Sequence, residues 1–513
     1  MALLLILAVA LRVYDLSAPS LWFDEAFSWT LATQFSATDV VSRTARDVHP
    51  PLYYLLLKGW TTVFGDSVLA MRLMSVVLGF LTIAVLPPFC RACFSVSIPS
   101  SHCAGDGDRR GVDIGLFTAA ACAISSSHIQ WSQEVRMYAL CTLLVMASAW
   151  MLLQALQHVQ HVRYWMAYSA ASVALLYSHN YAIFSIAGQC LFVAAVLLTQ
   201  ARRSGPASSA NKSRSRTAII AFVTIAAAYA PWVPVLIAQT TRVKEAYWIG
   251  SVRAFTVPDC WYRLFFPNND SVVASRLASL SLFMMLVAVC AGFLWSCDWR
   301  RHLVVMHAAC PVLCSLAASV FDVHIIEARC YACAFPFVAT MLAATCIEAV
   351  TSQCRVVALA VTIVLGVAYN GLYRSDLHVT ERPGVRGAVN QFRWLRTDGE
   401  QLLVRHPCVY FSAKYYLRGD VCPELYLPTG VTQHFTGQPI LQAADIVGPD
   451  DIPGEDGQSL WVLDTSGFNL PGARFSLPRG WKPVEGTRRT FREAYYFQKD
   501  VSLTRYEFGT DWK

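Results

Sequence analysis

The sequence predicts a mainly α polytopic membrane protein with a C-terminal soluble α/β domain. Three observations predict it. The 513 residues are 55% hydrophobic and only 15% charged, whereas soluble domains carry about 25% charged residues. Apolar runs approaching the ~20 residues that a spanning helix needs recur as far as residue 374. After that point Gly, Pro and charged residues rise, and no window is long enough to span. The mean hydropathy, +0.42, agrees with a bilayer protein. These shifts divide the chain into a membrane domain, 1–374, and a soluble domain, 375–513.

Length and hydropathy place about eleven transmembrane helices, near 1–13, 67–88, 113–130, 136–157, 164–178, 180–199, 217–238, 276–296, 303–320, 331–349 and 356–373. The first has only about ten apolar residues before Arg12, fewer than a full span. It reads as a short first helix, or the gene start lies further upstream. A signal peptide is the rival reading, but there is no basic start and no clear small-residue cleavage site. The apolar stretch Pro51 to Phe64 is short and follows two prolines, so it reads as an interfacial helix in the first outer loop.

Charge sets the expected hand. The net charge of +7 does not point to nucleic acid, because the cations fall mostly in short loops between apolar runs. Loop 200–216 carries Arg202, Arg203, Lys212, Arg214 and Arg216 without an acid, and Arg300 and Arg301 stand in the loop at 297–302. The alternate loops carry Asp24, Glu25, Asp47, Glu134, Asp322 and Glu327. By the positive-inside rule the second set is outside. The expected location is the plasma membrane, with the acidic loops and the C-terminal domain on the extracytoplasmic side.

The 17 cysteines are scattered, and many lie in apolar runs, where they act as small hydrophobes. Cys90 to Cys93 with His102 and Cys103 could form a metal site, but no second pair stands at finger spacing. Cys408 and Cys422 are the pair to consider for a disulfide, since they lie in the predicted exported domain. In that domain, Leu402 to Phe411, Ser459 to Asp464 and Glu493 to Gln498 read as β-rich runs. No internal repeat is visible.

Polar residues with chemical potential gather in the outer loops. The first loop carries WFDEAF, Trp22 to Phe27, and ends in DVHPPLYY, Asp47 to Tyr54. Asp24 and Glu25 by themselves could be a helix cap and a first-turn acid. Glu134, Arg136 and Tyr138 follow in IQWSQEVRMYAL, where Glu134 and Arg136 could simply pair. His179 stands in a tight turn, and Arg329 and Tyr331 stand at the outer start of a span, where an arginine is costly unless paired or functional. Carboxylates, cations and aromatic rings on one face suit transfer of a sugar from a phosphate leaving group. A carboxylate takes the acceptor proton, and cations neutralise the departing phosphate. A transporter or flippase of lipid-linked sugar is the alternative. It would place polar groups near the midplane in broken helices and inverted repeats. A purely structural role leaves the DE pair and the HPPLYY loop unexplained.

In these motifs the chain resembles the GT-C polytopic glycosyltransferases, in particular bacterial relatives of the protein O-mannosyltransferases and of the lipid A aminoarabinose transferases. The matching features are the DE pair, the DxHPPLYY run, GDSVLAMRLMSVVLG (Gly65 to Gly79), QEVRMYAL, and Arg329, Tyr331 and Pro336. They cover roughly residues 10–340. The resemblance implies a GT-C fold and inverting transfer from a polyprenyl-phosphate sugar to a lipid, glycan or protein acceptor. It implies Asp24 as general base, with Glu25 binding or orienting the acceptor. Asp47 and His49 match a second polar position, Arg136 and Arg329 would hold the lipid phosphate, and Tyr53, Glu134, Tyr138, His179 and Tyr331 complete the expected substrate-binding set. Relatives need no obligatory metal, although paired acids leave room for a divalent cation. The C-terminal domain matches no pattern that names an acceptor.

Overall fold

A computed structural model of the chain describes residues 1–95, 104–158, 160–204, 209–267, 272–466, 476–494 and 500–509. Its contacts divide it into two compact units. The first comprises Met1–Tyr14, His49–Tyr53 and Leu73–Tyr373; the second comprises Asp15–Val48, Tyr54–Arg72 and Arg374–Lys513.

Helix α1 (Ala2–Val13) opens the chain. Helices α2 (Phe23–Gln34), α3 (Ala37–Arg46) and α4 (Leu52–Phe64) follow. Then come α5 (Val68–Phe94), α6 (Ala104–Ile124), α7 (Ser126–Gln133), α8 (Tyr138–Gln157), α9 (Val162–Leu176) and α10 (Ala182–Ser204). The next set is α11 (Ser209–Tyr229), α12 (Val233–Glu245), α13 (Thr256–Phe265) and α14 (Val272–Leu294), then α15 (Trp299–Val320), α16 (Phe335–Ala349) and α17 (Ser352–Leu377).

Among the described residues, eight helical stretches are long and apolar enough to cross a membrane, or nine if the bent pair α6–α7 is one span. The expectation of about eleven is therefore too high by two or three. The two surplus segments are α1, with 12 residues, and α9, with 15. Both are helical, and at 1.5 Å per residue each is shorter than a ~30 Å hydrocarbon core is thick. The α6–α7 pair bends by 62°. Within the first unit, Arg12 meets the carbonyls at this break. The guanidinium of Arg12, wholly buried, donates to the carbonyls of Cys122 and Ala123 at 3.0 and 3.1 Å. It thereby satisfies backbone groups that the break at Ser125 removes from the helical ladder. Its remaining bonds go to Ala8, Ser132 and the Nδ1 of His128.

In the second unit, α18 (Gly384–Leu395) and α19 (Pro407–Leu417) accompany a sheet of seven strands among the described residues. Its strands are β1 (Leu402–Val404), β2 (Glu424–Tyr426), β3 (Ile446–Val447), β4 (Ser459–Thr465), β5 (Trp481–Pro483), β6 (Arg489–Phe491) and β7 (Val501–Phe508). The order is β3-β2-β1-β4-β7-β5, with β6 also pairing to β7. Strands β3, β2, β1 and β4 are parallel and β7 runs antiparallel. One apolar cluster of this unit joins Leu403, Tyr426, Leu460, Val462 and Trp481. The mixed α/β character matches the expectation, with one local correction. The run Leu402 to Phe411 is a strand only to Val404, because Pro407 sits at the first turn of a helix, where its fixed φ and missing N–H are tolerated. Ser459 to Asp464 is strand, as expected. The run from Glu493 is not strand at Glu493 or Ala494, and its residues 495–498 lie outside the described set.

The loop helices α2 and α3 pack with the C-terminal part of the second unit. Trp29 on α2 meets the Tyr415 ring of α19 edge-on at 5.1 Å, and Phe23 lies 6.2 Å from Phe411. Asp66 accepts from the indole of Trp29 at 2.9 Å, while its carbonyl accepts from the Tyr415 hydroxyl at 3.1 Å. Lys58 on α4 caps the end of α2 through the carbonyls of Ala32 and Phe35. Cys408 and Cys422 are free thiols, the first buried and the second exposed, so the disulfide expectation fails. Cys90 and Cys93 are buried; His102 and Cys103 lie outside the described residues.

Candidate functional site

The sequence-predicted residues fall in both units, and each set is described within its own. In the second unit, Asp24 and Glu25 occupy the first turn of α2, where acids favour the positive end of the helix dipole. Their environments differ. Asp24 is half-buried. Glu25 is 1% exposed and grips Arg72 through two bonds, Nε to Oε1 at 2.8 Å and Nη2 to Oε2 at 2.6 Å. Such a forked arrangement is the strong form of a guanidinium–carboxylate pair. The three remaining N–H groups of Arg72 reach the carbonyls of Leu16, Pro19 and Ser20. Asp47 is buried at the C-terminal cap of α3, its N–H donating to the carbonyls of Arg43 and Thr44. Arg72 was not among the residues singled out as functional. Its signal was an arginine at the mouth of a span, where an unpaired charge is costly.

In the first unit the structure brings together His49, Arg136, Tyr138 and His179. An Arg136 Nη2 lies 3.0 Å from His49 Nε2. Guanidinium can only donate, so His49 accepts there and carries its proton on Nδ1. The His49 and His179 rings are 5.4 Å apart. His179 is buried, and its Nδ1 accepts from the N–H of Tyr181 at 3.1 Å. Burial, with Arg136 adding to it, holds the His49 imidazole well below its ordinary value. Burial and the nearby Arg136 and Arg329 push His179 down to about 3. Both rings are therefore neutral across physiological pH. The N–H of Leu52 donates to the carbonyl of Tyr177 at 3.0 Å, which ties the HPPLYY run to the His179 turn.

Tyr138 lies 6.3 Å from His179. Tyr331 stands edge-on to Tyr181 at 6.1 Å and stacked on Trp261 at 6.5 Å. The Arg329 guanidinium lies over the Trp248 ring at 4.4 Å, a cation–π contact. A cavity of about 20 Å³ lies among Tyr138, His179, Tyr181, Arg329 and Cys330, room for roughly one water. Glu134 is buried, and its Oε1 accepts from Gln130 at 3.1 Å. Its carbonyl accepts from Ser75 at 2.6 Å. Tyr53 is wholly buried. Tyr181, Trp248 and Trp261 escaped the sequence reading, since single aromatics in loops of an aromatic-rich chain carry no local signal. Among the described residues, no three His, Cys, Asp or Glu side chains gather to hold a metal ion.

No protein-family model matches the chain, and no curated protein matches it. Solved structures do. The chain is similar to ArnT from Cupriavidus metallidurans bound to undecaprenyl phosphate, at 11% identity over 98% of this chain and 97% of that one, with a TM-score of 0.56. It is similar to the apo state of the same protein at 12% identity over the same shares, with a TM-score of 0.57. At such identity the likeness shows the fold, and it extends over nearly the whole length of both chains.

Proposed function

Starting from this fold, that of the GT-C membrane glycosyltransferases, we propose that the chain moves a sugar from a polyprenyl-phosphate donor to an extracytoplasmic acceptor. The observation that carries the reading is the cluster of Arg136 and Arg329 around two neutral histidines. Two guanidiniums beside uncharged imidazoles and aromatic rings make an anion site that discriminates phosphate from a cation. ArnT bound to undecaprenyl phosphate supports the same ligand class.

The half-buried carboxylate of Asp24 is the general base. It takes the proton of the acceptor hydroxyl as that oxygen attacks the anomeric carbon. The bond from that carbon to the phosphate oxygen breaks, and the lipid phosphate leaves with the electron pair, its charge neutralised by cations. Attack opposite the leaving group inverts the anomeric centre. Glu25, engaged with Arg72, shapes the loop. No obligatory metal is assigned, on the resemblance alone; transfer unaffected by a chelator is the expectation.

The test is transfer by the purified full-length protein in lipid nanodiscs, with a panel of undecaprenyl-phosphate sugars. Asp24→Asn abolishes transfer while the protein stays folded in the membrane. Near-normal transfer by that variant with every donor would remove Asp24 as base. Lipid-linked sugar that crosses the bilayer without being consumed would instead favour a flippase.

A further inference from the structure

The backbone leading into α2 is held residue by residue, and half of its holders come from the C-terminal region of the second unit. The carbonyls of Leu16, Pro19 and Ser20 accept from Arg72 at 2.9, 3.0 and 3.2 Å. Those of Ser17 and Ala18 accept from Arg386, on α18, at 3.2 and 2.5 Å. Two guanidiniums thus collect five consecutive carbonyls. The next amide, that of Leu21, donates to the hydroxyl of Tyr416, on α19, at 2.7 Å. The amide after it, Trp22, donates to the Glu25 carboxylate at 3.5 Å. Two residues later comes Asp24.

A loop normally leaves such groups to water. Here Ser20 and Leu21 are buried, and each group has a side-chain partner instead. The two C-terminal holders are themselves linked. Arg393 of α18 donates to the carbonyl of Tyr416 at 2.7 Å and pairs with Asp420, which also holds Arg396. Helices α18 and α19 therefore form one frame, and it carries both Arg386 and Tyr416. A catalytic base misplaced by about 1 Å can lose roughly a hundredfold in rate, so the frame is placed to matter for chemistry as well as for stability.

We propose that Arg386 and Tyr416 are positioning residues for Asp24, which makes the C-terminal α/β region a working part of the transfer site and not an appended module. The inference rests on Asp24 being the base, as read under Proposed function. Arg386 acts through the Ser17 and Ala18 carbonyls, and Tyr416 through the Leu21 amide. Neither needs to touch substrate.

The experiment uses full-length protein in nanodiscs and two readouts, amide hydrogen exchange over residues 16–24 and transfer kinetics with undecaprenyl-phosphate sugars. The variants are Arg386→Ala, Arg386→Lys and Tyr416→Phe, with Arg489→Ala on β6 as control. Lysine keeps the charge but lacks the fork that spans two carbonyls. Exchange over residues 16–24 should rise about fivefold in Tyr416→Phe, the worth of one hydrogen bond, and more in Arg386→Ala, with β4 and β7 as protected as before. The donor KM should stay within about twofold while kcat falls about fivefold or more, and Arg386→Lys should lie between wild type and Arg386→Ala. Unchanged exchange in the loop, or a raised KM with kcat intact, would overturn the proposal. If wild-type protein transfers no sugar from any donor, the glycosyl-transfer reading falls. The exchange arm then decides the clamp alone: a rise confined to the loop supports it, and no rise sinks it.

Discussion

Glu25 and Arg72 form a forked ion pair sealed from solvent, with side chains 1% and 4% exposed. Breaking such a buried pair from one side leaves an uncompensated charge and costs about 3–5 kcal/mol. Glu25→Gln and Arg72→Met should each lower thermal stability markedly. The double variant Glu25→Gln/Arg72→Met should recover part of the loss, because no lone buried charge remains. A double-mutant cycle on denaturation midpoints checks this, and additive losses would mean the pair is not coupled.

Glu493 is a buried carboxyl at the start of α18. Burial pushes it up to about 7 from its ordinary value of 4.5, with Asp500 adding to the rise. The Val385 amide, which donates to its Oε1 at 2.9 Å, and the neighbouring Arg386 and Ser20 pull the other way and lose. The folded state thus keeps a proton that the unfolded chain releases. That contribution is complete below pH 4.5 and is lost as pH rises to 7, about 3 kcal/mol in all. Relative to Glu493→Gln, wild-type protein should therefore lose stability between those pH values. Parallel pH profiles of the two proteins would contradict the burial argument.

The neutral histidines respond in the opposite direction. The folded value of His179, about 3, lies below its ordinary 6.5, so its contribution is complete above pH 6.5 and is lost as pH falls toward 3. By pH 5 the loss should reach about 2 kcal/mol. His179→Gln should flatten the acid limb of a thermal-melt series between pH 6.5 and 5. An unchanged limb would show that the folded protein does not hold His179 below its ordinary value.

The orientation read from charge has its own check. A reporter fused after Ser375 should be exported, because the basic loops are expected to stay inside. Cytosolic activity of that fusion would reverse the hand and remove the extracytoplasmic site.

Much of the fold was legible because hydropathy is a local property. Helix α8 and the spans at 276–294 and 299–320 follow from their own composition, as does strand β4 from its β-branched and aromatic run. Length was harder. Segments 1–13 and 164–178 are apolar helices of 12 and 15 residues, shorter than the ~20 of a full span, and helix ends are set by caps and neighbours more than by hydropathy. Near Pro407 a β-rich composition lost to the geometry of a proline at a helix start.

The sequence by itself determined the membrane class, the α/β region and the list of polar residues offered for chemistry. Asp24, Arg136, His179 and Arg329 were all visible as polar groups in loops of an apolar chain. Only the tertiary structure separated the two adjacent acids, burying Glu25 against Arg72, 47 residues away, and leaving Asp24 half-buried. Only it placed Arg386 on the carbonyls of Ser17 and Ala18, 369 and 368 residues away. The physical reason is the same in each case. Burial and hydropathy patterns are carried by neighbours in the chain, whereas a guanidinium chooses its partners by distance in space, which a linear reading does not contain.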